Sequence, residues 1–319
     1  MDNIALHIGF PKTGTTSLQR GFFYVHPDIL SVCPPIESKK LRKLIEVDIY
    51  KDGLLYDDEA VAEEFRREIE LLQKQNPGKV FMLSDENLCF YRELNQDRML
   101  VAKRLFDIFG PARILITIRR QDRLICSLYQ QTIQGGSYMS FSKFLDYFMA
   151  RYATSFLPLL KYSLIIKTYE QLFGKESIKV LPLEFLERRP HEYFSELSGF
   201  LGVKTEDFSI PHENLGVGFI GLFLKRCFNW VVPYDLGKPC FSLGERSPGE
   251  AAGMSFGLIY KYGTMRFVKS IDPFLPFNRK LTLPLQYKQK INDIYADDNR
   301  LLVEEYGFPL EEYSYPGFS

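Results

Sequence analysis

Apolar residues fall into two rhythms along the first two hundred positions. Short runs at Ile4 to Ile8, Lys79 to Ser84, Arg113 to Ile118 and Ser177 to Leu183 read as buried strands. Between them the spacing becomes helical. A helix over 57–75 carries Val61, Phe65, Ile69 and Leu72 on one side, with Glu63, Glu64, Arg66, Arg67 and Lys74 on the other; Asn76-Pro77-Gly78 stops it. Leu18, Phe22 and Val25 predict a helix after the first strand, ended by Pro27. Further helices are expected over 96–109, 140–149 and 162–173, and from Pro190 to Leu201 with Gly202 as cap. Strand and helix in alternation imply right-handed crossovers and a parallel sheet covered on both faces, a three-layer α/β/α fold.

The rhythm weakens after about residue 210. Residues 211–285 are rich in Gly, Pro and aromatics. Val217 to Val232 is an apolar helix broken by Lys225-Arg226; it is too short to span a bilayer and reads as a core helix rather than an interfacial membrane helix. Helical spacing returns over 285–306. The organisation expected is a core over 1–210, a variable section over 211–285 packed on it, and a C-terminal helix and tail over 286–319 completing the same domain. The C-terminal section is mostly helical and aromatic-rich.

Composition narrows the classes. At 319 residues the chain can bury a full core. It is 45% hydrophobic and 25% charged, as a globular protein is. Forty basic and forty acidic side chains cancel, so no global field draws in nucleic acid, and any anion site must be local. Cys33, Cys89, Cys126, Cys227 and Cys240 are scattered, without zinc spacing. They point to reduced thiols, and with no signal peptide the chain reads as cytoplasmic.

The chemistry concentrates at Gly9-Phe10-Pro11-Lys12-Thr13-Gly14-Thr15-Thr16-Ser17. Strand, glycine loop and helix start is the arrangement that holds phosphate on free backbone N–H groups. Gly9, Gly14 and Thr16 match the nucleotide-triphosphatase loop G-x-x-x-x-G-K-[ST], but Thr15 replaces its lysine and the cation has moved to Lys12. A second cluster begins where Arg119 closes a strand, with Ser127 eight residues on in a helix. A guanidinium and a hydroxyl can together hold a terminal phosphate. Gly9, Asp85 and Arg119 each fall at the carboxyl end of a strand, where ligands bind in such sheets. Arg246, Arg279 and Lys280 are candidates for extra phosphate contacts, each read rather as a solvated surface charge.

The first loop resembles the 5′-phosphosulfate loop of the sulfotransferases, P-K-[ST]-G-T-[ST]. The pair Arg119 and Ser127 resembles that family's 3′-phosphate motif. The segment around Val180 to Leu186, Phe200-Leu201-Gly202 and the ending Leu310 to Pro316 are also similar to it, so the likeness covers residues 4–210 and 285–316. The resemblance implies a P-loop-type fold and 3′-phosphoadenosine 5′-phosphosulfate as donor, with adenosine 3′,5′-bisphosphate as product and no metal required. It implies that Pro11, Lys12, Thr13, Gly14, Thr15, Thr16 and Ser17 hold the 5′ side and that Lys12 stabilises the leaving oxygen. The acceptor would be a small molecule or carbohydrate, recognised by the section over 211–285. Glu86, after the strand Lys79 to Ser84, is the expected general base, with Asp85 raising its pKa and Lys12 lowering it; His26 is the runner-up. Pairing of Glu86 with Arg92 is the structural alternative. The competing functions are a P-loop kinase or nucleotide hydrolase and a non-catalytic nucleotide-binding protein.

Overall fold

The computed structural model describes residues 3–33, 38–89, 97–205, 217–231, 263–275 and 279–318. The expectations for Cys240, Arg246, Arg92 and most of 211–285 fall outside them. Five parallel strands form one sheet in the order β2-β3-β1-β4-β5. They are β1 (Ile4–His7), β2 (Ile29–Val32), β3 (Val80–Ser84), β4 (Arg113–Ile118) and β5 (Ile178–Pro182). Every residue of β1 and β3 is buried, which is why these runs show no polar alternation.

The chain divides into two compact units. The first comprises Met1–Arg120, Leu159–Glu213 and Tyr295–Ser319, and holds the whole sheet. The chain steps from β1 to β2 in one direction and from β2 through β5 in the other, so right-handed crossovers put helices on both faces. On one face lie α2 (Lys39–Glu46), α3 (Asp58–Gln75), α4 (Arg98–Phe109) and α7 (Tyr162–Phe173). α1 (Thr15–Leu18) runs into a π-helical turn at Gln19–Phe23 on the other, where Phe22 stacks on Phe194 of α9 (Pro190–Leu201) at 5.2 Å. Side-chain caps set the helix starts: Asp57 accepts from Ala60 N–H at 3.0 Å, and Asp97 from Met99 N–H at 2.9 Å. A short α8 (Leu183–Arg188) follows β5 at once.

The second unit comprises Gln121–Pro158 and Asn214–Ile294. It contains α5 (Gln121–Gln134), α6 (Phe141–Ala150), α10 (Phe219–Val231), α11 (residues 263–271) and the start of α12 (Leu285–Tyr306). The division differs from the expected 1–210 core by assigning Gln121–Pro158 here. Tyr129, Phe141, Phe144, Phe148 and Phe156 form an aromatic cluster between α5 and α6. Lys225-Arg226 does not break α10. Lys225 is buried and donates to Thr264 Oγ1, while Asn229 donates to the carbonyls of Ile133 and Ser137, both at 2.8 Å. Lys225 and Asn229 thus share the inner face of α10 with Leu222, and Phe219, Phe223 and Trp230 are exposed.

The structure corrects one expectation about the first helix. Helical spacing placed Val25 on the buried face, but it is 59% exposed while Leu18, Phe22 and Phe23 are fully buried. The π turn, with Tyr24 N–H bonded to Gln19 O five residues back, inserts an extra residue and rotates Val25 outward. Among the described residues no helix is long and apolar enough to cross a membrane.

Candidate functional site

The loop after β1 stays clamped to β4. Ile8 N–H donates to Leu115 O at 3.0 Å and Phe10 N–H to Thr117 O at 3.1 Å. Gly9 sits between these bonds, and a Cβ there would lie 1.9 Å from Thr117 Oγ1, so only glycine fits. Beyond it the chain turns sharply. Lys12 takes φ of 65°, in the left-handed region a lysine seldom occupies, and Gly14 takes φ of 85° as N-cap of α1. A Cβ on Gly14 would lie 2.8 Å from Leu183 of α8, so α8 walls the loop closely. Strain held in a loop by its surroundings is a mark of functional sites.

Arg119 leaves the end of β4 and donates from Nη1 to Lys12 O at 3.0 Å. The tyrosine hydroxyl of Tyr162 holds the Arg119 carbonyl. Glu184, buried at the start of α8, accepts from Arg120 N–H at 3.1 Å and from Tyr315 O–H at 2.9 Å. The backbone on both sides of the Arg119–Arg120 peptide is therefore pinned. Two polar atoms here have no protein partner although buried: Arg119 Nε and Thr15 Oγ1. Unsatisfied buried polar atoms call for an explanation, and a bound anion is the usual one at a helix start. Thr13 is buried, Gly14 and Ser17 are half-buried, and Thr16 is exposed.

Asp85 and Glu86 follow β3. Asp85 is buried, accepts from Asn87 N–H at 2.9 Å, and is pushed up to about 6 by burial first and by the charges of Glu86 and Glu46 after it. Glu86 is half-buried. Burial raises its pKa and the Lys12 ammonium lowers it, so Glu86 and Lys12 share one electrostatic neighbourhood. The expected push from Asp85 on Glu86 is not the cause; desolvation is.

His26 stands elsewhere. It precedes β2, so it lies at the amino edge of a parallel sheet whose carboxyl edge carries Lys12, Glu86 and Arg119. Its Nε2 meets Lys204 O at 2.9 Å and its Nδ1 accepts from Asp28 N–H at 3.1 Å. Ser127 lies half-buried on α5 in the second unit. Sequence reasoning gave no role to Glu184, to Leu183 or to the buried set His7, Ser84, Thr117 and Gln19. His7, Ser84 and Thr117 each end or nearly end an apolar strand, but nothing in their spacing says that the three meet. Among the described residues no group of three His, Cys, Asp or Glu side chains is arranged to hold a metal ion.

No known family profile and no curated relative matches the chain. Among solved structures it is similar to a sulfotransferase from Alicyclobacillus acidocaldarius, at 19% identity and TM-score 0.46, covering 84% of this chain and 95% of that one. It is similar also to the sulfotransferase domain of the Synechococcus PCC 7002 olefin synthase, at 16% and 0.42, covering 64% and 74%. The sulfotransferase domain of the curacin biosynthetic pathway matches at 15% and 0.41, with the same coverage.

Proposed function

We propose that this chain is a sulfotransferase, moving a sulfuryl group from 3′-phosphoadenosine 5′-phosphosulfate to an acceptor hydroxyl or amine. The observation that carries the reading is the Lys12 to Thr15 loop: strained at Lys12, tied to Arg119, and bordered by two buried donors without protein partners. Those donors fit a doubly phosphorylated nucleotide. Backbone N–H groups from Thr13 to Ser17 and the hydroxyls of Thr15, Thr16 and Ser17 would hold its 5′ side, and Arg119 its 3′-phosphate. When bound, the donor supplies the activated sulfuryl group.

The protein's part is positioning and charge stabilisation. Lys12 places its ammonium where negative charge grows on the leaving oxygen. Glu86 takes the proton from the acceptor, and its raised pKa suits it to that task better than an ordinary carboxylate. Lys12 beside it keeps the ionised form accessible. The acceptor is a small molecule or carbohydrate. A nucleotide kinase fits less well. Thr15 stands at the position where the nucleotide-triphosphatase loop carries its lysine.

The test is sulfuryl transfer with isotopically labelled donor over a panel of hydroxyl and amine acceptors. Lys12→Ala should lower turnover by about 3 kcal/mol, or roughly a hundredfold, with a smaller effect on donor affinity. Transfer unchanged in that variant would refute the assignment. Tight donor binding without transfer to any acceptor would favour the non-catalytic alternative.

A further inference from the structure

Five side chains behind the loop form an unbroken buried path. Gln19 Nε2 lies 3.0 Å from Ser84 Oγ, which lies 2.8 Å from His7 Nδ1. His7 Nε2 lies 3.0 Å from Thr117 Oγ1, which lies 2.7 Å from Thr13 Oγ1, and that hydroxyl meets Phe10 O at 2.5 Å. His7, Ser84, Thr117 and Thr13 are at most 1% exposed. The path joins the carboxyl ends of β1, β3 and β4 to the loop.

The two ends fix the direction of every proton. Phe10 O can only accept, so the Thr13 hydroxyl is spent on it. Thr117 must then donate to Thr13, and His7 Nε2 must carry a proton to donate to Thr117. At the other end the Gln19 amide also donates to Ser84 O at 3.1 Å, which sets its orientation. Ser84 accepts from it and donates its own proton to His7 Nδ1. A protonated imidazole would turn Nδ1 into a donor and break this order. Burial lowers the His7 pKa to about 3, and the neighbouring Cys33 thiol is pushed up to about 11, so both stay neutral. The other titratable groups close in sequence to this path are Asp85 and Glu86 just after β3, Lys12 before Thr13, Arg20 after Gln19 and Arg119 beyond Thr117.

We infer that His7 is a positioning residue of the loop: as the neutral Nε2–H tautomer it relays a one-way hydrogen-bond chain that sets the Phe10 to Thr13 turn and so aims Lys12. Thr13 holds the turn from one side and Arg119 grips the Lys12 carbonyl from the other. Each link satisfies a buried group that would otherwise be orphaned, so the chain has one low-energy arrangement. Gly9 belongs to the same device, since a Cβ there would lie 2.7 Å from His7 Nε2 as well as 1.9 Å from Thr117 Oγ1. The inference deepens the functional reading, and its link to donor affinity rests on that reading; the tautomer and the loop geometry do not.

The experiment uses the full chain with ¹⁵N-labelled histidine. NMR should show one imidazole protonated at Nε2 and bare at Nδ1, constant over roughly pH 5 to 8. Thr117→Val removes the next link without changing volume, and Thr117→Ser keeps it. Thr117→Val should shift the Lys12 to Gly14 amide resonances and speed their hydrogen exchange, and Thr117→Ser should restore both. Adenosine 3′,5′-bisphosphate should bind Thr117→Val about tenfold more weakly and Thr117→Ser close to normally. His7 protonated at Nδ1, His7 titrating near its ordinary value, or loop amides indifferent to Thr117→Val would overturn the inference. A wild type that ignores the bisphosphate yet shows the expected tautomer and loop shifts would sink the functional reading and leave the inference standing. His7→Phe is the second variant; if it does not fold, the Thr117 pair still decides.

Discussion

Asp85 and Glu86 are neighbours placed in different surroundings. Asp85 is buried, and its pKa rises from 3.8 to about 6. Between those values the folded protein keeps a proton that the unfolded chain has released, so this group makes stability fall as pH rises through that window. Asp85→Asn keeps an acceptor for Asn87 N–H and removes the charge. It should exceed the wild type in stability by about 2–3 kcal/mol near pH 8 and match it near pH 4. Urea unfolding at both values checks this, and a gap that does not change with pH would contradict it. Glu86 is half-buried with Lys12 nearby. Glu86→Gln should lose about a hundredfold in turnover and remove the acid limb of the pH–rate profile. His26→Ala, at the opposite sheet edge, should leave turnover near normal once its lost stability is allowed for. The reverse outcome would move the base to His26.

At the scale of elements, the strands and long helices were legible because burial writes itself into apolar spacing. Val61, Phe65 and Ile69 line the buried side of α3 as expected. What spacing alone could not show was the π turn, since a one-residue insertion leaves no mark in composition; only Val25 on the outside reveals it. β2 and α2 were missed too. β2 is four residues at the sheet edge, and α2 is only eight residues with its apolar positions among lysines and arginines. Gly9 was read as a phosphate-loop glycine, while the structure shows that it clears space for Thr117. A double-mutant cycle tests this. Gly9→Ala should destabilise by about 3 kcal/mol or more alone, and by less in a Thr117→Ala background, where the oxygen at 1.9 Å is gone and only the closer approach to His7 Nε2 remains. Additive losses, read by thermal unfolding, would argue against the steric account.

For the whole molecule, the parallel sheet explains why residues distant in sequence come to one edge. One edge gathers the ends of β1, β3 and β4, and with them Lys12, Glu86 and Arg119. Their convergence could be read in the sequence because each follows an apolar strand. The hydrogen-bond chain behind them could not, because a lone His, Ser or Thr in a strand has no spacing signature and gains meaning only from the strand order. The central claim is that this edge binds a nucleotide with phosphates at both 3′ and 5′ positions. It is tested most directly by calorimetric titration of the wild type and Arg119→Ala with adenosine 3′,5′-bisphosphate and adenosine 5′-monophosphate. The wild type should prefer the bisphosphate by about 2–3 kcal/mol, and Arg119→Ala should lose most of that preference. Equal affinity of the wild type for the two nucleotides would contradict the account.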